Sequence, residues 1–219
     1  MEIESTARSY DHLASEYANR IGDELRGKPF DRAMLRMLAG ETSGLICDLG
    51  CGPGHVAGFL REAGATVVGV DLSVGMVEVA KHLHPGIEFR TGNMLSLPFP
   101  DETFSAIVAF YSIIHLPADS LGAAFHEMRR VTKPGGFLLA SFHIGDEVRH
   151  FDELWGCEVN LDFRFFEPEF VQEELLKSGW KLLSSTRRAP YEGVEAPTER
   201  GYLHAQKSMN QSAADAASA

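Results

Sequence analysis

The stretch that most constrains this chain runs Leu45-Ile46-Cys47-Asp48-Leu49-Gly50-Cys51-Gly52-Pro53-Gly54-His55. It opens as a short apolar run and becomes a glycine-rich loop, after which Val56, Phe59 and Leu60 set a helical spacing. That order predicts a buried parallel strand, a tight turn and a helix. Glycines in the turn let backbone approach a ligand, because no Cβ intervenes and positive φ costs little. Their spacing narrows the ligand. A dinucleotide loop reads G-x-G-x-x-G and holds pyrophosphate on a helix N-terminus. Here Gly54 comes one place early, and His55 stands where that pattern wants glycine. Asp48, an acid before the first glycine, suits a cationic ligand better than a diphosphate.

The rest of the chain repeats strand and helix in alternation. Thr66–Val70 is a second β-branched run ending at Asp71, about twenty residues beyond Gly50, the offset at which an acid reaches ribose hydroxyls. A helix through Met76, a short strand over Ile87–Arg90 and Gly92-Asn93-Met94 follow. Phe104–Phe110 is apolar throughout, as a strand covered on both faces would be. A helix over Ser120–Val131, a turn at Lys133–Gly136 and a strand over Phe137–Phe142 continue the rhythm. Trp180–Thr186 and Tyr202–Ala205 read as a final hairpin-like pair. The pattern predicts an open α/β sheet, whose ligands bind past the carboxyl ends of the strands. Asp48 to Gly54, Asp71, Asn93 and Phe110 to Ser112 all fall on that edge. Ahead of the sheet, Tyr10, Leu13 and Tyr17 share one face of a first helix, and a second begins at Pro29 and is expected to break at Gly40.

Composition excludes several classes. The net charge of −11 and the lack of a Lys/Arg stripe argue against nucleic acid. No apolar run approaches membrane-spanning length. Three cysteines without a C-x-x-C make a disulfide framework or metal site improbable and fit a reducing, cytoplasmic setting. An acidic N-terminus without an apolar signal core agrees. The expected organisation is one domain over residues 1–207, as monomer or homodimer. Residues 1–40 form a helical cap, 144–166 a lid and 208–219 a flexible tail.

The segments Asp48-Leu-Gly-Cys-Gly-Pro-Gly, Val68-Gly-Val-Asp71-Leu-Ser, Gly92-Asn-Met through Phe104, Ala109-Phe-Tyr-Ser-Ile-Ile-His115-Leu and Arg130-Val-Thr-Lys-Pro-Gly-Gly136 together resemble the class I S-adenosylmethionine (SAM) dependent methyltransferases of the small, single-domain type sometimes called type 11. The resemblance spans roughly Tyr10 to Phe142. It implies a Rossmann-like, mostly parallel seven-stranded sheet with helices on both faces and an antiparallel last strand. It also implies SAM as methyl donor, S-adenosylhomocysteine (SAH) as product and a small-molecule acceptor. Gly50, Cys51 and Gly52 would line the methionine part of SAM, with Asp48 near its amino group. Asp71 would accept from the ribose hydroxyls, and Leu72 and Met76 would pack on adenine. Asn93 departs from the usual Asp, but its carbonyl can accept from the adenine amine; Met94 belongs to the same segment. Phe110 and Tyr111 would flank the ligand, and Tyr10 and Tyr17 would close over it.

Methyl transfer from a sulfonium asks the protein mainly to align reactants and exclude water. A base is needed only where the acceptor is a hydroxyl or a protonated amine. His143 and His115, at or after strand ends on the functional edge, are the candidates. An oxygen or nitrogen acceptor is expected, and Trp155 with Phe163, Phe165 and Phe166 suggests a partly apolar one. Two alternatives stand beside this: SAM binding or SAM-dependent chemistry without methyl transfer, and an NAD-dependent oxidoreductase.

Overall fold

The computed structural model describes residues 2–209. Two helices, α1 (Glu2–Ile21) and α2 (Pro29–Glu41), precede the first strand, β1 (Leu45–Leu49). Then follow α3 (His55–Glu62), β2 (Thr66–Asp71), α4 (Val74–Leu83), β3 (Glu88–Thr91), β4 (Phe104–Phe110), α5 (Leu121–Val131) and β5 (Thr132–His143). Strands β6 (Val148–Leu154) and β7 (Cys157–Arg164), helix α6 (Pro168–Lys177), and strands β8 (Trp180–Arg188) and β9 (Arg200–Lys207) complete the chain. The main sheet has seven strands in the order β3-β2-β1-β4-β5-β9-β8. Its parallel ladders run from β3 through β5, and β9 is antiparallel to both β5 and β8. The expected sheet, with its last strand reversed, is the one observed.

Side-chain alternation explains the layers. Ala106, Val108 and Phe110 of β4 pack with Leu35, Leu38, Ala57, Leu60 and Val77 of α2, α3 and α4. Phe104, Ile107 and Ala109 pack with Leu121, Phe125, Met128, Val171 and Leu175 of α5 and α6. A register shift between Phe104 and Ala106 accounts for the change of parity along β4. With both faces covered, a near-continuous apolar strand is what the position requires. Among the described residues, no helix is long and apolar enough to cross a membrane.

Two expectations are corrected. Helix α2 runs through Gly40 to Glu41; one helical glycine costs only about 1 kcal/mol, and Gly40 has open space around it. The Lys133–Gly136 segment is drawn into β5, where Thr132 pairs with Phe104. Within residues 144–166, β6 and β7 form a two-stranded hairpin turned at Trp155-Gly156. Of the tail expected over 208–219, residues 210–219 lie outside the described range.

Helix α1 is bolted on two sides. Ser9 Oγ accepts from Asn160 N (2.9 Å) on β7. Asp11 Oδ1 accepts from Ser73 Oγ (2.6 Å) and Gly75 N (2.8 Å) at the start of α4. A Cβ at Gly75 would stand 2.9 Å from Asp11 Cα, so the approach needs glycine. Behind α2 lies a buried ionic cluster. The Arg188 guanidinium grips Glu195 with both nitrogens (2.8 and 2.9 Å), and Arg200 and Lys28 stand 3.7 and 3.6 Å away. Asp31 accepts from Tyr202 Oη (3.1 Å) and Arg188 Nη2 (3.3 Å). The cluster straps loop 189–199 to α2 and to β9.

Burial alone would raise the Glu195 carboxyl, but Arg188, the Tyr191 N–H, Arg200 and Lys28 outweigh it and hold it down at about 2. A folded value below the unfolded one of about 4.3 contributes stability above that unfolded value, lost as pH falls toward 2. Glu195→Gln should therefore lower the urea midpoint at neutral pH and flatten its fall between about pH 4.5 and 2. Urea titrations across that range check this; an unchanged slope would mean the carboxylate carries none of the acid sensitivity.

Candidate active site

The sheet reverses its strand order between β1 and β4, so the loops leaving these strands diverge and open a crevice. The loop after β1 forms the floor. Gly50 (φ +73°), Gly52 (φ +51°) and Gly54 (φ +86°) all take left-handed backbone. At Gly50 sterics add to the angle, since a Cβ would lie 2.2 Å from Ser112 Cβ. Gly50 N and Cys51 N both donate to Val70 O (2.7 and 3.1 Å), which holds the turn against β2.

A cavity with about 970 Å³ of empty space, part of it open to solvent, occupies this crevice. The loops place Gly50, Gly52 and Asp71 on its wall, with Leu72, Met76, Asn93 and Met94 beside them. Phe110, Tyr111 and His115 line it from the end of β4, and Tyr10 and Tyr17 roof it from α1. Twelve of the fifteen residues singled out in the sequence thus meet at one cavity.

Asp71 ends β2, with Gly52 N (2.8 Å) and Ser73 N (2.9 Å) donating one bond to each carboxylate oxygen. Burial raises its carboxyl despite those bonds. The donors fix the group while leaving acceptor capacity toward the cavity. Asn93 turns its Oδ1 back onto Leu95 N (2.9 Å), so one lone pair of that carbonyl is already used. Tyr111 is a non-glycine residue at φ +51°. Such a conformation costs about 1–3 kcal/mol and persists only when the surroundings enforce it. Here its N–H donates to Ser141 O (3.0 Å), and its hydroxyl meets Tyr202 Oη (3.0 Å). The ring is thereby fixed against the cavity.

Three candidates are not brought to the cavity wall. Asp48 is 2% exposed and accepts from Ala57 N (2.9 Å). It caps the first turn of α3, which Gly54 cannot do, and burial lifts its carboxyl to about 7. Cys51 turns into the core with Phe89, its thiol pushed up by burial. His143 pairs Nδ1 with Thr198 Oγ1 (2.9 Å) and tilts against Phe165 and Tyr111; burial, with Arg200 and Lys28, pulls it down to about 4.

The cavity also recruits Glu24, His55 and Ser112. His55 Nε2 stands 3.2 Å from Glu24 Oε1, and Lys28 Nζ donates to Glu24 Oε2 (2.7 Å). Burial opposes ionisation of Glu24, yet His55 and Lys28 hold its carboxyl at about 2. An ionised carboxylate, paired with Lys28 and His55, therefore stands on the cavity wall. Ser112 Oγ is buried without a hydrogen-bond partner among the described atoms. Of these, His55 had a sequence signal, as a polar residue opening a helix after the glycine loop; Glu24, in a short 3₁₀ turn, had none.

A family model described as a methyltransferase domain matches residues 46–136. The demethylmenaquinone methyltransferase of Streptomyces griseus is 32% identical over 132 residues, 59% of this chain and 56% of that protein. The chain spans about half the length of the curated relatives it matches. Among solved structures, DhpI in complex with SAH superposes with a TM-score of 0.72 at 22% identity, covering 95% of this chain and 98% of that one. The [4+2]-cyclase SpnF gives 0.65 at 19%, covering 82% and 80%. At such identities these two likenesses speak to the fold.

Gly50→Ala should cost about 2–5 kcal/mol, from a strained φ and overlap with Ser112. Adding Ser112→Gly should recover the overlap part but not the backbone part. Chemical denaturation of the single and double variants checks this; equal stability of the single variant and wild type would refute the close approach.

Proposed function

The chain belongs to the S-adenosylmethionine-dependent methyltransferases of class I fold, and from that premise we propose that it moves the methyl group of SAM to an oxygen or nitrogen of a small molecule. The observation that carries the reading is the Asp71 carboxylate, held by two backbone N–H groups on the wall of a cavity whose floor is bare glycine backbone. Those residues fit an adenosyl group with an amino-acid tail. Asp71 accepts from the paired ribose hydroxyls, Leu72 and Met76 pack on the adenine, and Asn93 offers its remaining lone pair to the adenine amine. Gly50 and Gly52 admit the tail, and Glu24 supplies the negative charge for its ammonium that Asp48, committed to α3, does not.

When bound, SAM supplies a methyl group on a sulfonium, already activated for in-line displacement. The protein's part is alignment and exclusion of water. Tyr10, Tyr17, Phe110 and Tyr111 present ring faces and edges to the cavity, and a ring face over a desolvated cation contributes up to about 2 kcal/mol. Helix α1, held by Ser9 and Asp11, positions Tyr10 and Tyr17, and Ser141 and Tyr202 hold Tyr111. His115 lies on this wall, whereas His143 lies behind Tyr111, so of the two histidines His115 is the one positioned for acceptor chemistry.

A second reading, SAM chemistry without methyl transfer, is kept open by the likeness to a cyclase on this fold. Incubation with methyl-labelled SAM and pooled small molecules separates the two: label leaving SAM for a product supports transfer. The NAD reading falls with the family assignment. Asp71→Ala should weaken SAH binding at least about tenfold in calorimetry, because charge-assisted hydrogen bonds are lost. Unchanged affinity in a folded variant would remove Asp71 from the site.

A further inference from the structure

Tyr10, His115 and Asp162 form a directed chain of hydrogen bonds across three elements: α1, the turn after β4, and the lid hairpin. His115 Nδ1 lies 3.1 Å from the Asp162 carbonyl oxygen. A carbonyl only accepts, so Nδ1 carries the proton and Nε2 presents a lone pair. Tyr10 Oη stands 2.8 Å from Nε2 and donates to it. Both residues line the cavity. Burial pulls His115 down to about 4, which keeps the ring neutral and its lone pair available at ordinary pH. The imidazole is wedged edge-on against Tyr10 (5.2 Å) and tilted on Phe163 (5.0 Å), so its direction is fixed.

We propose that Tyr10 and His115 act as a proton relay for the methyl acceptor, and hence that the acceptor is a neutral hydroxyl or an ammonium that must lose a proton. This rests on the methyltransferase reading above. The Tyr10 oxygen takes the acceptor's proton as its own passes to His115 Nε2. The acceptor lone pair forms the bond to the methyl carbon, and the carbon–sulfur bond breaks with its electron pair going to sulfur. The positive charge lost at sulfur reappears on the imidazolium, so atoms and charge balance with no further reactant. An acceptor that is an ionised carboxylate at neutral pH has no proton to give and no use for the pair.

The test uses methyl-labelled SAM with catechol, p-cresol, benzylamine, octanoate and phenylacetate as probes, and SAH calorimetry in parallel. Tyr10→Phe keeps the ring and loses the relay oxygen. His115→Gln keeps a hydrogen-bond acceptor for Tyr10 but not a proton acceptor. Label is expected on a phenol or amine probe, falling about 100-fold in either variant, the size typical of general-base loss. The double variant should fall no further than the singles, and SAH affinity should stay within threefold. Histidine-selective nitrogen NMR of the SAH-bound protein should show the His115 proton on Nδ1 and a shift at Nε2 on Tyr10→Phe. Transfer confined to the carboxylates, a variant keeping a third of the wild-type rate, or a proton on Nε2 would each overturn the proposal. Wild-type protein that fails to bind SAH would instead strike the methyltransferase reading.

Discussion

The site depends on β1 pairing in parallel with β2 on one side and β4 on the other. That arrangement reverses the strand order and leaves the loops after β1 and β4 nowhere to go but apart. The crevice is a consequence of topology before any side chain is considered. The side chains then decide its use. Parity along β1 sends Asp48 with Ile46 toward the α3 face, where it caps that helix, while Asp71, at the end of β2, reaches the crevice. Two acids on adjacent strands thus receive different duties, one inside β1 and one at the tip of β2.

The floor is one short turn tied to β2 through Val70 O, and the roof is assembled from distant segments. Helix α1 touches α4 through Asp11 and β7 through Ser9, so the first and the middle parts of the chain must both be in place before the cavity closes. Tyr111 links the cavity to the ionic cluster behind α2, where three cations (Lys28, Arg188, Arg200) face three carboxylates (Glu24, Asp31, Glu195). Breaking one member of such a cluster leaves a buried partner uncompensated. The left-handed Tyr111 is held by this background, through Tyr202.

The sheet was legible because strand–turn–helix units carry strong period and glycine signals, and because β8 and β9 are β-rich runs around a polar loop. Most of the cavity-lining residues were legible for the same reason: they sit at strand ends, where sequence position and spatial position coincide. The hairpin was passed over, although Cys157, Val159, Leu161 and Phe163 alternate with Glu158, Asn160, Asp162 and Arg164 in a strict two-residue period. Its aromatic neighbours drew the reading toward a generic lid. His143 could not be placed from sequence, since lying at the right end of β5 does not say whether the ring meets the crevice or Thr198. Glu24 was beyond reach, because a single acid in an irregular turn is defined only by what folds against it.

The two tryptophans occupy opposite circumstances. Trp180 is buried in the core and donates its indole N–H to Phe125 O (3.0 Å). Trp155, at the hairpin turn with φ +54° and 37% exposed, leans on Tyr17 at 5.8 Å and under the Arg20 guanidinium. Because Tyr17 lines the cavity and Trp155 leans on it, a ligand that displaced the Tyr17 ring would change the surroundings of one indole and not of the other, which lies in the core. Such a displacement would make the pair a native emission gauge, one constant lamp and one responsive, read without an attached dye.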